Sequence, residues 1–137
     1  MADILETASN AGTFNTLVQA VEAAGLVDTL KTPGPYTVFA PVDEAFNRMP
    51  EGALDKLLQD VSKLKKIVTY HVVFGDVRGE DLLEIDEAET VEGSVLVIDT
   101  TKGYKVNQAI VLQPDILTDN GVIHVIDSVL MPAMMEF

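Results

Sequence analysis

Apolar residues in the first half of the chain recur at the three- and four-residue spacing of an α-helix. The spacing predicts a short amphipathic helix from Asp3 to Thr7 and a second helix that begins after the N-cap Thr13 and ends at Gly25. Further helices are predicted from a set of regularly spaced apolar positions: Ala53, Leu54, Leu57, Leu58, Leu64, Ile67 and Val68. Helices therefore dominate the sequence up to His71.

After His71 the period changes to the alternation typical of β-strands. The predicted strands of this half are Val72 to Phe74, Glu89 to Val91, Ser94 to Thr100, Tyr104 to Val106, Ile110 to Leu112 and Val122 to Leu130. One earlier strand, beginning at Tyr36, brings the total to about seven. Because helices and strands are segregated along the chain, the pattern predicts an α+β fold.

One stretch in the helical half, Tyr36 to Phe46 (YTVFAPVDEAF), combines both periods. It begins as a strand, and Pro41 ends the strand pairing because proline has no N–H to donate. Asp43 then occupies the position expected of a helix N-cap. The sequence predicts a buried strand that turns directly into a helix through a polar elbow.

The stretch from Asn120 to Pro132 (NGVIHVIDSVLMP) predicts the closing strand of the sheet. Asn120-Gly121 is a strong turn signal, and the run that follows is dense in β-branched residues. Since Val122 to Leu130 is almost continuously apolar, we expect this strand to be buried on both faces and to lie inside the sheet.

These two stretches, with Tyr70-His71-Val72-Val73 between them, resemble the fasciclin I domain. The resemblance runs from Asp3-Ile4-Leu5 to Met131-Pro132 and so covers essentially the whole chain as one domain, residues 1–137. It implies two β-sheets packed as a wedge, with the helices along one edge and end. It also implies an adhesion role through protein or carbohydrate contact, in a secreted or cell-surface setting.

Charge narrows the classes of partner. The chain has 22 acidic and 9 basic residues, a net charge of −13, so nucleic acids and anionic lipid surfaces are repelled. It has no cysteine, which excludes disulfides and thiolate sites. No apolar run reaches the roughly 20 residues needed to cross a bilayer, and MADILETASN lacks the features of a signal peptide.

His71 and its neighbour Tyr70 are the candidate site residues. A buried histidine must be paired, so we expect a polar anchor in which His71 bonds to Asp43 or Thr37. The alternative is that His71 acts as a general base or as a ligand. The resemblance adds another role, since a tyrosine–histidine pair in this family has been proposed as an integrin-contact motif and Tyr70-His71 matches it.

The remaining motifs predict no chemistry. His124 is expected to be a half-buried strand residue bonded to the backbone, and its spacing from His71 matches no metal site, so no metal or cofactor is expected. None of the serines has the context of a catalytic nucleophile. The stretch from Glu80 to Asp99 carries eight acids and no base, which predicts a solvated face; the alternative is a weak, non-specific attraction for divalent cations.

The absence of a catalytic pattern predicts a monomeric, non-enzymatic interaction module, and the resemblance implies that it binds an unknown protein or carbohydrate surface partner. The alternative is an intracellular enzyme or a stress-related small-molecule-binding protein that uses a cleft near His71.

Overall fold

A computed structural model of the chain describes residues 3–49, 52–101, 103–107 and 109–130. The helices are α1 (Ile4–Ala11), α2 (Asn15–Ala23), α3 (Val27–Leu30), α4 (Asp43–Asn47), α5 (Ala53–Gln59), α6 (Val61–Tyr70) and α7 (Gly79–Leu82). The strands are β1 (Tyr36–Pro41), β2 (Val72–Phe74), β3 (Glu87–Glu89), β4 (Val95–Asp99), β5 (Lys105–Val106), β6 (Ala109–Thr118) and β7 (Gly121–Ile126). The α+β class and the seven strands are confirmed within these ranges.

The seven strands form one hydrogen-bonded series in the order β2-β1-β7-β6-β5-β4-β3. Its only parallel pair among the described strands is β1 with β7, and the other neighbours are antiparallel. The series curves back on itself, because Val73 in β2, at one end, forms a β-bridge with Thr90, which follows β3 at the other end. The two expected layers are therefore two parts of one curved sheet.

Alternation along β1 and β7 sends side chains into two separate hydrophobic clusters. Val38 and Val125 belong to the first cluster, where the sheet packs against helices α1 to α6. Phe39 and Ile126 belong to the second, which also takes residues from every other strand and is enclosed by the curved sheet. Strand β7 is thus central and buried on both faces, as predicted, although it ends at Ile126 and not at Leu130.

Asp43 does not cap the helix that it begins, contrary to the prediction. The N-cap of α4 is Val42, and the Asp43 carboxylate instead accepts from the Thr16 N–H at 2.8 Å and the Asn15 side-chain amide at 3.2 Å. Asp43 therefore caps α2, whose own N-terminus has no side-chain cap, so Thr13 does not serve as one. The polar elbow joins two helices that are far apart in sequence.

Asn120 is a second polar joint, although the sequence indicates only a turn there. Its side chain is buried, accepts from the Ile4 N–H, and donates to the carbonyls of Leu30 and Thr32. The next residue must be glycine, because a Cβ on Gly121 would overlap the backbone of Tyr36 in the neighbouring strand. The turn thus fastens α1 and α3 to the start of the β1–β7 pair.

Strand β6 is longer than predicted because Pro114 does not end it. Two register shifts against β7, on either side of Gln113, absorb the proline, and Asp115 adopts a positive φ of 61°. The stretch Met49-Pro50-Glu51-Gly52 predicts a break between helices, and its two middle residues lie outside the described residues, as does the end of the last motif at Met131-Pro132.

Candidate functional site

His71 lies at the end of α6 and is almost completely buried, with 2% of its surface exposed. Its Nε2 lies 2.8 Å from the Leu130 backbone nitrogen, which can only donate. Nε2 therefore accepts, and the ring proton sits on Nδ1, which donates to the Ile67 carbonyl at 2.7 Å. Burial lowers the pKa of His71 to about 4, so the ring is neutral at physiological pH.

The predicted bond from His71 to Asp43 or Thr37 is wrong. Both ring nitrogens are occupied by backbone groups, so no position remains for a carboxylate or a hydroxyl. Asp43 caps α2 instead, and the Thr37 hydroxyl bonds the backbone after β2. The structure places these three residues in three separate polar joints.

Tyr70 is also an interior residue, with 4% of its surface exposed. Its hydroxyl donates to the Val95 carbonyl at 3.2 Å and accepts from the Asn107 side-chain amide at 3.1 Å. Since neither Tyr70 nor His71 reaches the surface, a partner cannot contact them while the domain stays folded. This geometry gives the pair a structural role and does not support direct contact with an integrin or another partner.

The space beside His71 does not form a binding cleft. It is a cavity of about 20 Å³, and every other residue that lines it is apolar. A cavity of this size has room for about one water molecule and favours none in an apolar setting. With both nitrogens occupied as well, His71 is poorly placed to act as a general base on a substrate.

His124 in β7 is fully buried, and its two ring nitrogens have the opposite hydrogen-bonding roles from those of His71. Its Nδ1 accepts from the Asp115 N–H at 3.2 Å, so Nε2 carries the proton and donates to the Val77 carbonyl at 2.7 Å. The ring stacks on Phe39, with 5.4 Å between the ring centroids. Burial lowers the pKa of His124. The predicted bond to the backbone is present, whereas the predicted half-burial is wrong because the side chain is fully buried.

The Val77 carbonyl belongs to the segment from Phe74 to Gly79, here called the 74–79 loop, which three strands hold by its backbone. From β1, the buried Thr37 hydroxyl donates to the Gly75 carbonyl at 2.7 Å and accepts from the Val77 N–H at 2.8 Å. From β7, His124 binds Val77 as described. Each of these side chains binds the backbone, which fixes the path of the loop and leaves its side chains free to vary.

Asp115 in β6 supplies the third contact. Its carboxylate accepts from the Gly79 N–H at 2.7 Å, while its own N–H bonds His124. A positive φ is rare for aspartate, and here it turns the carboxylate and the N–H toward two different partners. The sequence pattern predicts no role for Asp115, although Pro114-Asp115 directly follows a strand pattern and was the available signal.

The loop presents three side chains to solvent. Phe74 is 67% exposed and meets Tyr36 edge-on, with 5.5 Å between ring centroids. Arg78 pairs with Asp76 through two contacts of 3.1 and 3.2 Å, and that hydrogen-bonded pair raises the pKa of the guanidinium. An exposed aromatic ring and a planar ion pair thus stand on a rigid support, an arrangement suited to recognition.

Two further properties concern ions and membranes. Among the described residues, no group of three or more histidine, aspartate or glutamate side chains could hold a metal ion. None of the helices in the same ranges is long and apolar enough to cross a membrane.

The sequence has clear relatives. A family model described as the fasciclin domain matches residues 12–132. An uncharacterized Synechocystis protein, sll1735, is 49% identical over 96% of this chain and 98% of its own length. The immunogenic protein MPB70 of Mycobacterium bovis is 38% identical over 91% of this chain and 66% of its own. The pig transforming growth factor-beta-induced protein ig-h3 is 34% identical over 96% of this chain, which spans only 20% of that protein.

The fold also matches a solved structure. A FAS1 domain pair from the insect cell adhesion molecule Fasciclin I superposes with a TM-score of 0.85 over 96% of this chain and 51% of the pair, at 21% identity. At that identity the likeness establishes the fold alone. Together with the family match over most of the sequence, it shows that the chain belongs to the fasciclin domain family.

Proposed function

We propose that this domain is a non-enzymatic interaction module of the adhesion type, which binds a protein or carbohydrate surface partner through the 74–79 loop. One observation carries the proposal. Side chains from β1, β6 and β7 bond the backbone of this loop, while its exposed side chains face solvent: Asp76 and Arg78 pair with each other, and Phe74 meets the edge of Tyr36.

The chemistry of the loop fits a binding role. An aromatic ring stacks on apolar surfaces of proteins and sugars, and an arginine held flat by a carboxylate offers donors in a fixed plane. Both side chains lose little freedom on binding because the loop beneath them is already ordered. The two histidines, by contrast, are neutral, buried and saturated with backbone bonds, which makes them supports of the surface and not reagents.

The relatives favour the same class of function. One matching structure comes from a protein described as an insect cell adhesion molecule. The net charge of −13 argues against nucleic acid as the partner. A loop of this size offers a small contact area, so a single domain should bind weakly, and many copies on one surface should gain roughly 10²–10⁴ in avidity.

The test is an unbiased pull-down with the folded domain clustered on beads, followed by surface plasmon resonance on the captured partner. Phe74→Ser and Arg78→Ala should each abolish capture, while monomeric wild-type protein should bind no tighter than about micromolar. Val61→Ser is the matched control, because Val61 is 52% exposed on α6, outside the loop.

Three outcomes count against the proposal. Capture that survives both loop substitutions would move the contact elsewhere on the domain. Nanomolar affinity in the monomeric format would indicate a dedicated pocket. Turnover of the captured ligand would contradict the non-enzymatic assignment.

A further inference from the structure

Strand β4 carries aliphatic side chains on the face where a solvated strand normally carries polar ones. Its residues alternate between exposed and buried, and the exposed positions include Val95 at 45% and Val97 at 53%. The buried alternates, Leu96 and Ile98, already fill the second hydrophobic cluster. Packing inside the domain therefore does not account for the two outward valines.

The same pattern recurs on β6. Ile110 is 46% exposed and Leu112 is 56% exposed, while Val111 between them is buried. Of the nine strongly exposed large apolar side chains in the described part of the chain, these two strands carry four in outward positions close together in the series. Single exposed aliphatics are ordinary, whereas a concentration on one sheet face marks a contact surface.

Strand register places these residues on one side of the sheet. Residues paired across antiparallel strands project to the same face, and the pairs here are Glu89 with Val95, Glu87 with Val97, Asp99 with Lys105, and Lys105 with Ile110. We call the exposed set on this side the outer face; its members are Glu87, Glu89, Val95, Val97, Asp99, Lys105, Ile110 and Leu112.

The dimensions of the outer face fit one helix. Neighbouring strands lie about 4.8 Å apart, so the two aliphatic strands, β4 and β6, are separated by about 10 Å across β5. A helix with its side chains is about 10–12 Å wide. A single amphipathic helix laid on the sheet would therefore cover both pairs of aliphatic residues.

The charged residues of the outer face determine which kind of helix can bind there. Glu87 and Glu89 are exposed along the β3 flank, while Asp99 has a lysine directly opposite it. A second copy of the chain would bring like acids together and add its own −13, and anionic lipid would be repelled in the same way. A helix with an apolar stripe would pack on the valines, and lysines or arginines along its side would pair with the glutamates.

We infer that the outer face of β3 to β6 is a docking surface for a basic amphipathic helix of a partner protein. This surface is separate from the 74–79 loop, since none of its residues belongs to that loop. It also gives a role to the acid-rich segment from Glu80 to Asp99, whose glutamates on β3 frame an apolar surface.

The probe is an 18-residue peptide of leucine and lysine, arranged so that the leucines form one helical stripe. Binding is followed by fluorescence anisotropy at low and high salt. The double variant Val95→Thr/Val97→Thr keeps the β-branched shape but should weaken binding about tenfold. Glu87→Gln/Glu89→Gln should weaken it about threefold at low salt and leave it unchanged at high salt.

Leu117→Thr is the matched control, because Leu117 is 44% exposed on the same strand as Leu112 but outside the outer face. A scrambled peptide of identical composition and a peptide with glutamate in place of lysine should both fail to bind. All five of these substituted side chains are exposed, so thermal melts should confirm that every variant folds.

If the scrambled peptide or the valine double variant bound equally well, charge attraction alone would explain the binding. The proposed docking surface would then be wrong. It would also be wrong if sedimentation showed a wild-type dimer disrupted by Val95→Thr/Val97→Thr, since a second copy would then be the occupant. Peptide binding that is unaffected by Phe74→Ser separates this test from that of the proposed function.

Discussion

The two buried histidines both form hydrogen bonds to backbone groups, but they connect different parts of the fold. At His71 a ring joins the end of α6 to the segment after β7, and both contacts are buried. At His124 the ring joins β6 to the 74–79 loop, and both contacts are partly buried. The rings carry their protons on opposite nitrogens. The first region is a joint of the core, and the second supports a surface, so similar substitutions should give different results.

The largest effect is expected for His71→Phe. Phenylalanine fills the space of the ring but leaves the Ile67 carbonyl and the Leu130 N–H buried without partners. The free energy of unfolding should fall by about 2–5 kcal/mol, measured by urea denaturation at pH 7. His71→Gln is the control, because its amide can donate and accept and should recover part of the loss. A loss below about 1 kcal/mol for His71→Phe would mean that the joint is not a structural one.

Low pH should also destabilise the fold through His71, with a smaller effect than the largest expected for His71→Phe. The folded pKa of His71 is about 4, below its unfolded value of 6.5, so the unfolded state binds more protons between these two values. Stability should therefore be complete above about pH 6.5 and fall by about 3 kcal/mol as the pH drops to 4. Acidification protonates Nε2, which then repels the Leu130 N–H.

The pH effect is separable by variant. His71→Gln should flatten the slope of unfolding free energy between pH 6.5 and 4, and His124→Gln should remove a further part, since the pKa of His124 is also lowered by burial. An unchanged slope in His71→Gln would show that the carboxylates alone govern acid sensitivity.

The smallest effect on stability, but the most local one, is expected for His124→Phe. Water can replace some of the lost bonds to Val77 and Asp115, so the cost should be about 1–2 kcal/mol. The Val77 and Gly79 amides should exchange faster with solvent than the lower global stability explains, as measured by NMR hydrogen exchange. His71→Phe, compared at equal global stability, should leave those two amides protected. Equal loosening in both variants would erase the distinction between the two regions.

Pattern alone predicted the elements of the fold well. The period change at His71 separated helices from strands, and the apolar run after Gly121 identified a strand buried on both faces. These features are dictated by burial, which leaves a periodic trace in the sequence. The strand ends and the continuation of β6 through Pro114 were missed, because register shifts depend on the partner strand and leave no such trace.

Polar partners were harder to predict for the same reason. Asp43 sits where a local cap belongs, yet it caps a helix from another part of the chain. His71 needs two partners, and the sequence offers carboxylates and hydroxyls, whereas the fold supplies backbone groups. The Ile67 carbonyl lies four residues away in the same helix, but only the tertiary fold brings the Leu130 N–H within 3 Å of the ring. The need for a second partner was therefore predictable and its identity was not.

The position of β7 has a consequence for how the domain is made. This strand lies between β1 and β6 and is the last described strand in chain order. The helices and β1 therefore leave the ribosome long before the neighbour that covers them, and β1 and β6 present open edges until β7 inserts. Such non-local pairing slows folding, so we expect the nascent domain to be most open to misassociation just before its central strand emerges.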